Sequence, residues 1–274
     1  MNVYETAGHV ALRVSLSGGV VEIETTDQPR VEIELVPLRG NDVTRKAIAE
    51  ARVEMIERGA GQEVVVSLGK ETGFGFSIGR GSKVGVRVRC PRGADLDLRA
   101  GSADLGAVGP LGAVAVKTTA GDVLLEDVAS LEVSTASGDV RVRDVEQELS
   151  LRTASGDATV RRSGGLLTAN LVSGDLSVGE AAAGLSVTTV SGDVRVHAAG
   201  GGSMRIQAVS GDVHLAIKPG EHLYIDARSV SGTMSSELGV EDAPPPDSTS
   251  QYHELSVSTV SGDVQIARAA VVGT

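Results

Sequence analysis

A Gly-Asp step recurs through the C-terminal two thirds of this 274-residue chain at a spacing that few folds can satisfy. It stands at Gly121-Asp122, Gly138-Asp139, Gly156-Asp157, Gly174-Asp175, Gly192-Asp193, Gly211-Asp212 and Gly262-Asp263. A degenerate Gly232-Thr233 and an irregular Gly101-Ser102 extend the series. Most intervals are seventeen to twenty-one residues, and the one long interval contains an insertion. A segment of that length cannot bury its own apolar side, so neighbouring copies must stack and share a core.

Aligning the copies on the Gly exposes the strands. Two residues after it stand Val123, Val140, Ala158, Leu176, Val194, Val213, Met234 and Val264; four after it stand Leu125, Val142, Val160, Val178, Val196, Leu215, Ser236 and Ile266. The residue between is mostly polar, which is the period-two alternation of a strand with one buried face. Five before the Gly, Val116, Val133, Leu151, Ala169, Val187, Ile206, Ala227 and Val257 form another apolar column. Each copy therefore supplies two strands around one corner, and Leu131, Leu149, Leu167 and Leu185 suggest a third side. Inward columns fall at odd offsets before the Gly and even offsets after it, so the corner shifts the strand phase by one residue. Gly reaches the positive φ that such a corner needs, and Asp can accept local backbone N–H groups. The expectation is an all-β fold: a single-stranded parallel β-helix of about nine coils over residues 95–274.

Residues 1–94 lack the repeat and read as a β-rich cap containing one short helix. Strands are expected over 10–16, 20–24 and 31–36, with turns at Ser17-Gly18-Gly19 and near Asp27-Gln28-Pro29, and further strands near 63–68 and 83–90. Asn41-Asp42 has the form of an N-cap opening a helix to about Met55, with Val43, Ala47 and Ala51 on one face. The Gly-rich stretch 72–82 lacks both the Gly-Lys-Ser/Thr and the strand-then-helix context of a phosphate loop, so it reads as an exposed loop. Residues 239–251 hold Pro244-Pro245-Pro246 among acidic residues; proline cannot donate to a strand ladder, so this insertion must leave the stack. The last coil in sequence, ending near Ala267, has no evident cover and reads as an open edge.

A net charge of −11 opposes phosphate backbones and anionic headgroups, which argues against nucleic acid as a partner. No export signal and no run of eighteen apolar residues is present, which together with a single cysteine implies a cytoplasmic location without membrane insertion. Cys90 lies in a strand-like segment before Pro91 and reads as a packed thiol. The repeated carboxylates Asp139, Asp157, Asp175, Asp193 and Asp212 could hold cations between coils. The calcium-binding nonapeptide solenoids, however, carry Gly-Gly-x-Gly-x-Asp twice per coil, and here the Asp directly follows the Gly once per coil, which favours corner capping. His197 with His214, and His222 with His253 beside Tyr224 and Tyr252, could meet on adjacent coils, but neither pair has a third convergent ligand. The carboxylate clusters and sugar-stacking aromatics of β-helix carbohydrate enzymes are missing; only Phe74, Phe76 and three tyrosines occur. No catalytic residue, cofactor or metal site is expected.

Two before the Gly runs Val172, Val190, Val209, Val230 and Val260. Outward, these valines would form a docking face; if the corner turns them inward, the threonine column Thr118, Thr135, Thr153, Thr189 and Thr259 lies outside instead. Both remain open on the sequence.

The strand ending at Pro91, the Asp95-Leu96-Asp97-Leu98 segment after it, the repeated Thr-Val-Ser-Gly-Asp-Val, and the Gly-Gly-Val-Val-Glu-Ile and Val-Glu-Ile-Glu-Leu strands resemble the bacterial DUF4097 family, the "putative adhesins". That resemblance implies a β-solenoid without catalysis. A non-enzymatic scaffolding or protein-binding solenoid follows, able to self-associate as in the bactofilins, whose β-helices join end to end. The rival readings are a surface adhesin and a carbohydrate-active β-helix enzyme.

Overall fold

The computed structural model describes residues 1–59, 61–68, 71–72, 75–76, 82–238 and 253–270. Much of the Gly-rich stretch, including Phe74, and residues 239–252, with the proline insertion and Tyr252, lie outside them. The chain divides into two compact units, Met1–Val142 and Arg143–Thr274. No helix among the described residues is long and apolar enough to cross a membrane.

Unit 1 contains β1 (Asn2–Glu5), β2 (Val10–Thr26), β3 (Arg30–Pro37), α1 (Asp42–Ala49), β4 (Arg52–Arg58) and β5 (Gly61–Ser67). There follow a two-residue hairpin, β6 (Glu71–Thr72) with β7 (Gly75–Phe76), then β8 (Val84–Pro91), β9 (Asp95–Ala120), β10 (Val123–Ser137) and the start of β11 (Val140–Val145). The parallel ladder is not confined to residues after 95. β2 pairs in parallel with β9, from Ala11 opposite Asp95 to Glu24 opposite Val108, and on its other side in parallel with β5 and β8. The cause is visible in the residues: Val10, Leu12, Val14 and Leu16, then Val21 and Ile23, alternate inward around Gly18-Gly19 just as a coil does. Besides that hairpin, β1, β3 and β4 run antiparallel, β3 on β8, β1 on β3 and β4 on β5.

The expected helix is shorter than its pattern. Asn41 caps α1, its Oδ1 accepting the Thr44 N–H at 3.0 Å, but the helix stops at Ala49, Thr44 and Ala47 face inward, and Val43 is exposed. From Arg52 the chain is a strand instead, because β5 presents an unpaired edge that β4 satisfies along its whole length, and that pairing outweighs local helix propensity.

Unit 2 is a regular parallel stack. Its coils are β12 (Leu149–Ser155) with β13 (Ala158–Ser163), β14 (Leu167–Ser173) with β15 (Leu176–Ala181), β16 (Leu185–Ser191) with β17 (Val194–Ala199), and β18 (Met204–Ser210) with β19 (Val213–Ile217). Last in sequence come β20 (Leu223–Ser231) with β21 (Met234–Ser236), and β22 (His253–Ser261) with β23 (Val264–Arg268). The leucines expected to mark a third side open the first strand of each coil: Leu149, Leu167 and Leu185 are the leading inward residues of β12, β14 and β16. The far side is closed by a small-residue column, Ser163, Ala181 and Ala199, each wholly buried.

Stacking order departs from sequence order at the end. Met204 pairs with Leu255, and Leu255 in turn with Ile225, so the coil β22/β23 sits between β18/β19 and β20/β21. The outermost rung is therefore β20/β21, and the last coil in sequence is an interior one, contrary to the expected open edge near Ala267. Side-chain chemistry explains the exchange. β22/β23 brings Leu255, Val257, Val264 and Ile266 to the inward columns, all at 3% exposure or less, whereas β20/β21 offers Ile225, Ala227, Met234 and Ser236. The rung with two covered faces takes the better apolar set.

Candidate interaction surface

The corner geometry decides which columns face water. Thr135 Oγ1 donates to the Ser137 carbonyl at 2.9 Å and Thr153 Oγ1 to that of Ser155 at 3.1 Å. A threonine that satisfies its hydroxyl on its own corner can sit inside, as Thr135 and Thr153 do; Thr189 and Thr259 are buried too, their hydroxyls without a hydrogen-bond partner among the described residues, and Leu171 and Ala208 fill the same inward place on their rungs. The next residue then points out. Val172, Val190, Val209 and Val260 are 47–53% exposed and Val230 is 82% exposed. Strand register aligns them: Leu171 and Ser173 lie opposite Thr189 and Ser191, these opposite Ala208 and Ser210, these opposite Thr259 and Ser261, and these opposite Ser229 and Ser231. The spatial order is thus Val172, Val190, Val209, Val260, Val230, on five successive rungs spanning about 19 Å at about 4.8 Å each. An exposed serine column, including Ser173, Ser191, Ser210, Ser261 and Ser231, runs beside it. Contiguous apolar surface rimmed by polar side chains is the usual form of a docking face.

The Asp column has a structural job. In unit 1, Asp104 Oδ1 accepts the Asp122 N–H at 3.0 Å and Asp122 that of Asp139 at 2.9 Å. In unit 2 the relay runs from Asp157 to the N–H of Asp175, from Asp175 to Asp193, from Asp193 to Asp212, from Asp212 to Asp263, and from Asp263 to Thr233, at 2.7–2.9 Å. Stacked carboxylates repel by about 1 kcal/mol per neighbouring pair in water. A charge-assisted bond to backbone N–H contributes about 1.5–3 kcal/mol, so the corner arrangement is favourable. Arg195 adds to this by donating to Asp193 at 2.6 Å, as Arg141 does to Asp139 at 2.8 Å. Asp193→Ala is therefore expected to destabilise by about 1–3 kcal/mol, and Asp193→Asn, which keeps an acceptor, by less. Urea denaturation of the two variants measures the difference; equal losses would remove the relay argument.

Neither histidine pair gathers a third ligand among the described residues. His214 lies opposite Arg195 rather than His197 and bonds the Gln265 side chain at 3.0 Å. His253 donates its backbone N–H to the His222 carbonyl, and its ring stands 3.7 Å from Glu221. Among the described residues, no group of three or more His, Cys, Asp or Glu side chains is placed to hold a metal ion. Cys90 is buried, and burial pushes its thiol up to about 12, far from the thiolate a nucleophile needs.

Sequence reasoning passed over a groove in unit 1. A space of about 680 Å³ lies over β2, β8 and β3, where Arg87 sits between Glu22 at 2.8 Å and Glu34 at 3.6 Å, and Arg89 between Glu24 at 2.9 Å and Glu32 at 3.9 Å. The signal was present: Glu22 and Glu24, Glu32 and Glu34, and Arg87 and Arg89 alternate with buried Ile23, Ile33 and Val88, so their outward faces had to meet as rows of opposite charge. The guanidinium of each arginine is already engaged by carboxylates, so this surface is a salt-bridged sheet face.

Against this geometry, the model of the Toastrack DUF4097 family matches residues 11–267. The chain belongs to the Toastrack DUF4097 family. No curated protein matches it in sequence. Among solved structures, it is similar to a "putative adhesin" from Parabacteroides distasonis with a TM-score of 0.53 at 13% identity, covering 97% of this chain and 95% of that one. A "putative cell adhesion protein" from Clostridium sporogenes matches at 11% identity and a TM-score of 0.25, covering 97% and 98% of the respective chains. A "putative lipid binding protein" from Parabacteroides distasonis matches at 13% identity and a TM-score of 0.33, covering 97% and 96%. At such identities the first of these supports the fold alone. The Toastrack chain accordingly shares the β-solenoid architecture, and its function must be argued from its own surfaces.

Proposed function

We propose that this Toastrack protein is a non-enzymatic binding solenoid whose valine stripe docks another protein. The observation that carries the reading is the five-rung alignment of Val172, Val190, Val209, Val260 and Val230 on the outside of unit 2. A coil needs its inward columns to fold, but nothing in the stack requires valine at an outward position, where threonine or serine would serve a strand equally. A flat apolar column flanked by hydroxyls offers shape-regular contact along a strand-rich surface and little specific chemistry, which suits a protein surface better than a small substrate. The buried, un-ionised Cys90 and the occupied carboxylates of the Asp relay support the non-enzymatic part of the reading.

The double variant Val190→Lys and Val209→Lys places two charges in the middle of the stripe without touching the core. It is expected to keep the melting temperature within a few degrees, because outward substitutions away from packed features stay within about 0.5 kcal/mol. Proteins retained by the immobilised wild-type chain from its native host, identified by mass spectrometry, should be lost from the variant. Identical retention by both chains would overturn the docking role of the stripe. A carbohydrate enzyme would need polar groups converging in a cleft, and the Asp column of this stack holds its carboxylates in relayed contacts to backbone N–H groups.

A further inference from the structure

The outer edge of β20 is the one rung of unit 2 whose inward residues are half-exposed, because no described strand lies beyond it. Nine residues long, it carries N–H and C=O groups on its outer side that no described strand pairs, a template for another strand. Its sequence, Leu-Tyr-Ile-Asp-Ala-Arg-Ser-Val-Ser, reads sensibly against its own reverse. The geometry points to antiparallel pairing of β20 with β20 of a second copy, centred on Ala227, to give a closed two-fold dimer.

Pairing about Ala227 sets residue 226 opposite the partner copy's 228, and 224 opposite its 230. Asp226 of each copy then faces Arg228 of the other, twice, and Tyr224 faces Val230, also twice. Opposite charges and aromatic against β-branched are both favourable cross-strand pairs. These four positions share the outward face of the strand. In the single chain, Arg228 already grips Asp226 with two bonds of 3.0 Å on that face, so each charge can exchange a partner within its strand for one across the dyad. On the inward face Ala227 would meet its own copy, where a small side chain allows close approach.

The alternative of head-to-tail growth meets two obstacles. Every other corner of unit 2 from Asp157 onward carries a carboxylate for the next rung's N–H, but the last has Thr233, so the relay ends there. In unit 1 the outermost strands β1 and β4 run antiparallel to their neighbours, and β4 is studded with Arg52, Glu54, Glu57 and Arg58, which blunts it as an edge. An isologous contact, by contrast, uses one surface twice and closes. The contact is separate from the protein-docking role of the stripe, although Val230 belongs to both surfaces.

The test is the mass of the full chain in solution by light scattering, in the wild type and in charge variants. The wild type is expected at twice the 28.0 kDa chain mass. Asp226→Arg alone and Arg228→Asp alone set like charges against each other across the dyad and should each run at the single-chain mass while still unfolding cooperatively, at a somewhat lower melting temperature because the dimer contact is lost. Mixing these two variants in equal amounts should restore the doubled mass, as should both substitutions in one chain, because opposite charges face again. Val190→Lys with Val209→Lys should leave this pattern intact, which separates it from the stripe. A wild type at single-chain mass at high concentration, single variants that stay dimeric, or a mixture that fails to recover would each overturn the proposal.

Discussion

Replacing Gly192 by alanine should be among the most damaging single changes in unit 2, lowering stability on the order of 3–5 kcal/mol. Two effects add. The backbone at Gly192 has φ +130°, which L side chains rarely adopt, and forcing a Cβ into left-handed backbone costs roughly 1–2 kcal/mol. The larger part is steric. The added Cβ would run into the carbonyl oxygen of Gly174 on the neighbouring coil, and Gly174 itself stands in the same relation to Gly156. Those are backbone atoms held by the ladder on both sides, so no rotamer change relieves the overlap. Gly220 separates the two effects: its φ is +88°, yet a Cβ there would meet open space. Gly220→Ala should therefore cost only the conformational part, about 1–2 kcal/mol. Urea midpoints for the two variants decide it, and similar losses would mean that the stacked glycine backbones are not the constraint.

The same stacking explains why so much of the fold was legible. Each coil repeats the statement that Gly turns the corner and Asp caps it, so one ambiguous residue is outvoted by its column. Val194, Val213 and Val264 could be placed inward without coordinates because their neighbours Arg195, His214 and Gln265 are polar in every copy. The valine stripe was undecidable from parity because two consecutive residues, such as Val190 and Ser191, both face out beside the corner. What decides it is the backbone of the folded corner, which turns Leu171, Thr189, Ala208 and Thr259 inward and the valine after each of them outward. In the first hundred residues a single coil around Gly18-Gly19 had no sequence-adjacent copy to align with, so it read as part of a cap. The two-fold face of β20 was hidden for another reason: periodicity identifies coils but does not say which of them are neighbours.

That order is open to direct test. Leu255 and Ile225 occupy the same inward column on adjacent rungs. With β22 between β18 and β20, Leu255 has packed rungs on both sides and is wholly buried, while Ile225 is half-exposed at the end. Leu255→Ala should then cost about 2–5 kcal/mol, because the surrounding rungs cannot collapse into the space. Ile225→Ala should cost less, about 1–2 kcal/mol, since Ile225 is less completely buried and has a packed rung of its own chain on one side only. Were the coils stacked in sequence order, the ranking would reverse, because residues 223–236 would be enclosed and the last coil would be terminal. The corners argue for the observed order on independent grounds. Asp263 passes its carboxylate onward to Thr233, and a rung that receives but cannot give is suited to the end of a relay. Thr233→Asp should accordingly leave stability nearly unchanged in the observed order, its carboxylate meeting water instead of a further N–H. Equilibrium unfolding of the three variants thus reads out the neighbours of each coil without a new structure.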